Sequence, residues 1–133
     1  GQRRSLLRQL PSCLIVQLMR FTYQNGNLRK VHRPVSIPLN NLDLTSLIVD
    51  NVMRREDLTA LNASYRYELY GLCLHIGANI INSGHYVAYV RASDSMWFRF
   101  DDENVTAVNM EYELNTRQIR ENSYLLFYKK MSV

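Results

Sequence analysis

Residues 83–102 read SGHYVAYVRASDSMWFRFDD: two six-residue stretches, Tyr86–Arg91 and Met96–Asp101, separated by Ala92-Ser93-Asp94-Ser95. Short runs rich in Tyr, Val, Phe and Trp, broken by a polar tetrapeptide, predict two strands of an antiparallel hairpin. His85 precedes the first strand and Asp101 closes the second, so strands of equal length set the two side by side at one end of a sheet. A carboxylate beside an imidazole fixes its tautomer and orientation, leaving the other ring nitrogen as a base. Asp102 adds a second polar group, and Gly84 lets backbone approach closely. A His–Asp pair at a strand end is also commonly a plain surface hydrogen bond, and adjacent acids suit a turn. The spacing alone leaves both readings open.

Upstream of the hairpin, Tyr65–Ile76 predicts the clearest strand, with Tyr67, Leu69 and Cys73 on one face and Tyr70, Leu72, Leu74 and Ile76 on the other. Gly77–Gly84 (GANIINSG) joins the two. It is longer than the usual hairpin loop of about 2–5 residues, and its bounding glycines with Asn79 and Asn82 predict a mobile, exposed loop. Ile80 and Ile81 would there offer contacts to a partner. Near the start, Ser12–Phe21 (SCLIVQLMRF) is apolar on both faces, as a strand buried within a sheet would be. Gln24-Asn25-Gly26-Asn27 follows, and Asn-Gly is a strong hairpin signal because both residues adopt positive φ. The return through Leu28–Ile37 must be an edge or break at Pro34, which lacks a ladder donor. Pro38–Asp50 is neither clean helix nor clean strand, and Arg54–Ser64 reads as a surface connection with one helical turn. Downstream, Asn104–Val108 is a short extended piece, and Asn109 caps a helix over about Met110–Glu121. Glu111 and Glu113 in its first turn, with Arg117 and Arg120 near its end, suit the helix dipole. Ser123–Lys130 (SYLLFYKK) closes as a strand. The sum is an α+β, β-dominated fold: an antiparallel sheet with one or two short helices.

Composition narrows the function classes. The chain has 133 residues, 47% hydrophobic and 21% charged, ordinary values for one globular domain. Five Gly and three Pro exclude linker-like or collagen-like readings. No run of about 18 apolar residues predicts a membrane span. The net charge of +4 is spread thinly, with Asp and Glu among the arginines, so no basic stripe predicts nucleic-acid binding. Two cysteines, Cys13 and Cys73, are too few for a disulfide framework or a closed zinc site. No metal or other cofactor is expected, and a reducing compartment, cytoplasmic or nuclear, is the default.

The run SGHYVAYV followed by WFRFDDENV resembles the histidine box of the ubiquitin-specific proteases, a family of papain-like cysteine proteases. YELYGLCLHIG fits the same box. LPSCLIVQLMRF matches the family's Leu-Pro-x-x-Leu-x-x-x-Leu-x-Arg-Phe strand, SIPLNNLDLTSL resembles the segment after it, and SYLLFYKK looks like its closing strand. The matches are ordered and span Leu10 to Lys130. The resemblance implies the sheet half of a papain-like fold, with His85 as catalytic general base and Asp101 as its orienting carboxylate. Asp102 takes the place of the neighbouring polar residue that supports the site. Gly84 and Tyr86 would flank the channel for ubiquitin's Gly-Gly tail, and Gly77–Gly84 would be a loop gating it. Ser83 stands where many members have a second Gly.

One departure is large. The family's nucleophile lies in an N-terminal box close to Gly-x-x-Asn-x-Gly-Asn-Thr-Cys, and nothing like it occurs here. Reactive thiolates need an exposed, electropositive setting, commonly a helix N-terminus. Cys13 and Cys73 lie within apolar strand runs and read as core cysteines, and His75 as structural. Residues 1–133 are therefore expected to be the C-terminal part of a larger catalytic domain whose N-terminal half supplies the nucleophile. The expected function is deubiquitination, with ubiquitin or ubiquitinated proteins and that N-terminal half as partners. The alternatives are a catalytically inactive relative that binds ubiquitin or serves as a scaffold, and a β-rich interaction module.

Overall fold

The computed structural model describes residues 10–45, 65–77, 83–93 and 95–131. Among these residues nine strands and two short helices follow in order: β1 (Cys13–Gln17), β2 (Phe21–Gln24), β3 (Asn27–Lys30), β4 (Leu42–Asp43), β5 (Arg66–Ile76), β6 (His85–Ser93), β7 (Met96–Asp101), β8 (Asn104–Val108), α1 (Met110–Glu113), α2 (Arg117–Asn122) and β9 (Ser123–Lys130). The main sheet runs β1-β9-β5-β6-β7-β8, with β4 paired to β5, and every pairing is antiparallel. β2 and β3 form a separate hairpin. The expected β-dominated α+β architecture is present.

The expected hairpin forms, but β6 is longer than the six residues read from the sequence. A register shift between Arg91 and Ser93 sets Tyr89 opposite Arg99 and Arg91 opposite Trp97, where equal strands would have paired Arg91 with Met96. That register places Val87, Tyr89, Trp97 and Arg99 on the sheet face that builds the core. Leu69, Leu72, Leu74, Leu126, Tyr128, Met110, Leu114 and Ile119 belong to this core, as do Tyr67, Ile37 and Leu44. The other face is apolar too, yet Ile15, Val90, Phe100 and Val105 on it are exposed.

Several elements depart from the sequence reading. Ser12–Phe21 is not one buried strand. It ends at Gln17 and resumes at Phe21 in the second sheet, and β1 is an edge strand. Leu14 and Val16 pack on the core while Cys13, Ile15 and Gln17 are exposed. The break serves Arg20, whose buried guanidinium donates to the carbonyls of Ser123 (2.9 Å), Val31 (3.3 Å), Arg120 (2.8 Å) and Arg33. A buried cation is tolerable only when its donors are met in this way, and the Glu121 charge helps. Asn25 (φ 51°) and Gly26 (φ 78°) turn the β2–β3 hairpin as expected, but β3 stops at Lys30, before Pro34.

In β5 the alternation fails at a register shift between Leu69 and Gly71. The extra residue of this bulge, Tyr70, puts Tyr67 and Leu69 on the same buried face as Leu72 and Leu74. The single helix expected over Met110–Glu121 is two. Asn109 caps the first, its Oδ1 accepting from the Tyr112 amide at 3.2 Å. Thr116 then ends it, its hydroxyl donating to the Glu113 carbonyl at 2.6 Å while accepting from the Ile119 amide to cap the second. The readings of Arg54–Ser64 and of residues 78–82 of the Gly77–Gly84 loop lie outside the described residues.

Candidate active site

His85 opens β6 and Asp101 closes β7. Ala88 lies opposite Phe100, which continues to Val87 beside Asp101, so His85 is a diagonal neighbour of Asp101 on the same face. Diagonal pairs of this kind are within reach of long side chains. The His85 Nε2 is hydrogen-bonded to Asp101 Oδ1. With Nε2–H donating to the carboxylate, Nδ1 carries the lone pair, and among the described residues it makes no hydrogen bond. The His85 side chain is 43% exposed, so a reactant can reach it.

The electrostatics follow from the contact. The hydrogen bond to Asp101 raises the His85 imidazole above its ordinary value; the Asp101 and Asp102 charges add to this, and desolvation and Arg99 oppose it. The same bond holds the Asp101 carboxyl below its ordinary range, helped by Arg99. Asp101 therefore stays ionised while the imidazole is poised to accept a proton. Asp102 is 79% exposed, with its Oδ2 4.0 Å from His85 Nε2 and a backbone φ of 52°. It contributes charge but no hydrogen bond. The donor atoms of His85, Asp101 and Asp102 lie within 4.8 Å of one another. Asp101 is already committed to the imidazole and to Arg99, which makes it a poor metal ligand.

Gly84 adopts φ 108°, a conformation disfavoured for other residues. A Cβ there would stand 2.7 Å from the Ile76 carbonyl oxygen and 2.9 Å from His75 Nε2. Beneath this turn lies His75, 1% exposed, with Nε2–H donating to the Ser83 carbonyl at 2.7 Å. Its ring sits edge-on to Phe21 (5.3 Å) and Tyr86 (5.0 Å). Tyr86 pairs with His75 and so lies on the opposite sheet face from His85, half exposed. The structure thus brings His85, Asp101, Asp102 and Gly84 together, whereas Tyr86 flanks the site across the sheet.

Among the described residues neither cysteine lies at a helix start. Cys13 is exposed on the edge strand, which corrects its reading as a core residue. Cys73 is half-buried, and burial pushes its thiol up, away from the reactive thiolate. Sequence reasoning missed Arg99, whose Nη1 is 3.3 Å from Asp101 Oδ2 and whose Nε donates to the Tyr89 hydroxyl at 3.2 Å. The signal was available: a cation two residues before Asp101 on one strand shares its face. A pocket lined by Leu39, Leu69, Trp97 and Met110 lies at the far end of the hairpin, away from these groups.

Comparison with known proteins connects this geometry to a family. A family model described as ubiquitin carboxyl-terminal hydrolase matches residues 1–128. The chain is similar to Ubl carboxyl-terminal hydrolase 18 of Homo sapiens, 35% identical over 98% of this chain and 36% of the relative. It is similar to ubiquitin carboxyl-terminal hydrolase 8 of Arabidopsis thaliana, 34% identical over 94% of this chain and 13% of the relative. Among solved structures, it resembles a chain of the SAGA Ubp8/Sgf11/Sus1/Sgf73 DUB module bound to ubiquitin aldehyde, with a TM-score of 0.76 and 31% identity. That match covers 96% of this chain and 26% of the other. The chain therefore spans only a minor part of the relatives it matches.

Proposed function

Because the chain belongs to the ubiquitin carboxyl-terminal hydrolase family, we propose that it supplies the general base and its orienting carboxylate to a cysteine-type deubiquitinase. The nucleophile comes from residues of the parent protein outside this chain, in the N-terminal half of the catalytic domain. The observation that carries the reading is the hydrogen bond between His85 Nε2 and Asp101 Oδ1, which leaves Nδ1 for a thiol.

In the proposed reaction His85 Nδ1 takes the thiol proton as sulfur attacks the carbonyl carbon of ubiquitin's C-terminal Gly. The imidazolium, held by ionised Asp101, gives that proton to the departing amine, and a thioester remains. Water then attacks the thioester with His85 again accepting the proton, and the thiol is restored as the carboxylate product leaves. Asp102 adds negative charge beside the imidazolium. Gly84 and Tyr86 flank the channel for the Gly-Gly tail in this reading. Ubiquitin and ubiquitinated proteins are the substrates in this reading, in the cytoplasm or nucleus. Among the described residues no helix is long and apolar enough to cross a membrane.

The test uses a fluorogenic substrate bearing ubiquitin's C-terminus. The full-length parent protein is expected to hydrolyse it, and this chain alone to be inert, since nucleophile and base act as a unit. Cys13→Ser and Cys73→Ser in the full-length protein are expected to turn over like the wild type. Turnover by this chain that vanishes with Cys73→Ser would overturn the assignment of the nucleophile. A full-length protein that binds ubiquitin without turnover would assign the fold to binding instead.

A further inference from the structure

Asp101 offers two carboxylate oxygens, and the structure divides them: Oδ1 meets His85, and Oδ2 meets Arg99 Nη1 at 3.3 Å. Arg99 is itself held from behind. Its Nε donates to the Tyr89 hydroxyl at 3.2 Å, and Tyr89 stands directly opposite it in the β6–β7 register. Tyr89 is 1% exposed and wedged in the core, so the phenol is a fixed post. The order Tyr89–Arg99–Asp101–His85 runs from the core to the solvent along one face of the hairpin.

We propose that Arg99 is a positioning residue for the His85–Asp101 pair: it aims the Asp101 carboxylate at the imidazole and supplies the positive charge that balances the two acids there. The inference rests on the reading of His85 as the base. A carboxylate on a strand end rotates about its Cβ–Cγ bond unless both oxygens are engaged, and a guanidinium with donors in a rigid fork engages one oxygen while anchored elsewhere. Lysine, with one ammonium, cannot span the phenol and the carboxylate together.

The charge has a second effect. Facing the His85 ring are Asp101 and Arg99 from β7 and Asp102 from the turn into β8. β5 contributes the apolar Ile76 beside it, His75 lies on the other face of the sheet, and Glu113 of α1 acts on Tyr89 behind Arg99. Two acids and one cation thus surround the imidazole. Without Arg99 both acids act unopposed and bind the ring proton more tightly, which makes the imidazole a poorer proton donor to the leaving amine.

The full-length protein, labelled with 15N-histidine, separates geometry from charge. In Arg99→Gln, which keeps a donor but loses the charge, the His85 titration midpoint is expected to rise, with kcat falling about tenfold and KM little changed. In Arg99→Lys, which keeps the charge but loses the fork, the loosened Asp101 contact is expected to lower the midpoint and kcat to fall several-fold. Tyr89→Phe should behave like Arg99→Lys. An unmoved midpoint in Arg99→Gln overturns the proposal, whatever the turnover. Should Arg99→Gln fail to fold, wild-type kcat in Arg99→Lys overturns it. If the wild-type protein hydrolyses no ubiquitin substrate, the functional reading fails, and the midpoint still decides the role of Arg99.

Discussion

His75 and His85 occupy neighbouring strands, one pairing step apart, on opposite faces of the same sheet. His75 is buried, braced by two aromatic rings, and spends its Nε2–H on the Ser83 carbonyl. His85 is half-exposed and spends its Nε2–H on a carboxylate. The tautomer is the same and the consequences differ. A carbonyl partner fixes backbone, whereas an ionised carboxylate stabilises the protonated ring and so supports proton transfer. Here the scaffold histidine clamps the turn that leads into the proposed base.

Exchanging the two losses tests this contrast most severely. In the full-length protein, His85→Ala is expected to cut turnover about 1,000-fold or more with an almost unchanged melting temperature. His75→Ala is expected to destabilise by about 2–3 kcal/mol through a buried cavity and a freed Ser83 carbonyl, with the remaining folded protein still active. Equal loss of stability in both would erase the distinction between scaffold and chemistry.

Gly84→Ala attacks the joint between the two histidines. A Cβ at positive φ against the Ile76 carbonyl adds strain of about 1–3 kcal/mol and displaces His85. Turnover should fall about 100-fold, as small misplacements of a reacting group do. Wild-type kinetics in this variant would show that the turn does not set the position of His85.

Asp101→Asn sharpens the comparison by giving His85 a neutral partner, as His75 has. Turnover should fall roughly 10- to 100-fold, and the His85 titration midpoint, read by NMR, should drop. The linkage has a definite sign. The raised imidazole contributes stability fully below its ordinary value of 6.5, and this is lost as pH rises through the folded value. The depressed carboxyl contributes above its ordinary value of 3.8, and this is lost as pH falls through the folded value. Asp101→Asn should flatten the melting temperature across that window. Asp102→Asn is the mildest change, a loss of about two- to threefold, because an exposed charge at 4.0 Å is screened by solvent.

Much of this was legible in the chain. Two short strands around a polar tetrapeptide place His85 and Asp101 at the same end of a hairpin. Equal six-residue strands would have paired Tyr86 with Asp101, and the register shift between Arg91 and Ser93 is what brings His85 onto the Asp101 face. Alternation along a strand is a local rule. The same rule made Asn104–Val108 and Ser123–Lys130 readable to the residue. Local chemistry also sufficed at Asn25-Gly26, where two positive φ values select the turn, and at Asn109, whose side chain caps α1.

Other features depended on contacts distant in sequence. The bulge at Tyr70, which reverses the faces of β5, follows from how β5 pairs with β9 and has no signature in the hydrophobic pattern. Whether Cys13 is buried depended on β1 lying at the sheet edge, and the break after Gln17 on carbonyls that Arg20 reaches about a hundred residues away. The division of helix between α1 and α2 required Thr116 to close one turn and open another. Sequence by itself determined the antiparallel sheet, the hairpin and the placing of His85 and Asp101 at one end of it, because strand alternation and turn conformation are local. Tertiary structure alone decided which face of each strand is buried, and that Arg99, fixed by Tyr89, stands behind Asp101, because burial and side-chain partnership are set by which strands become neighbours.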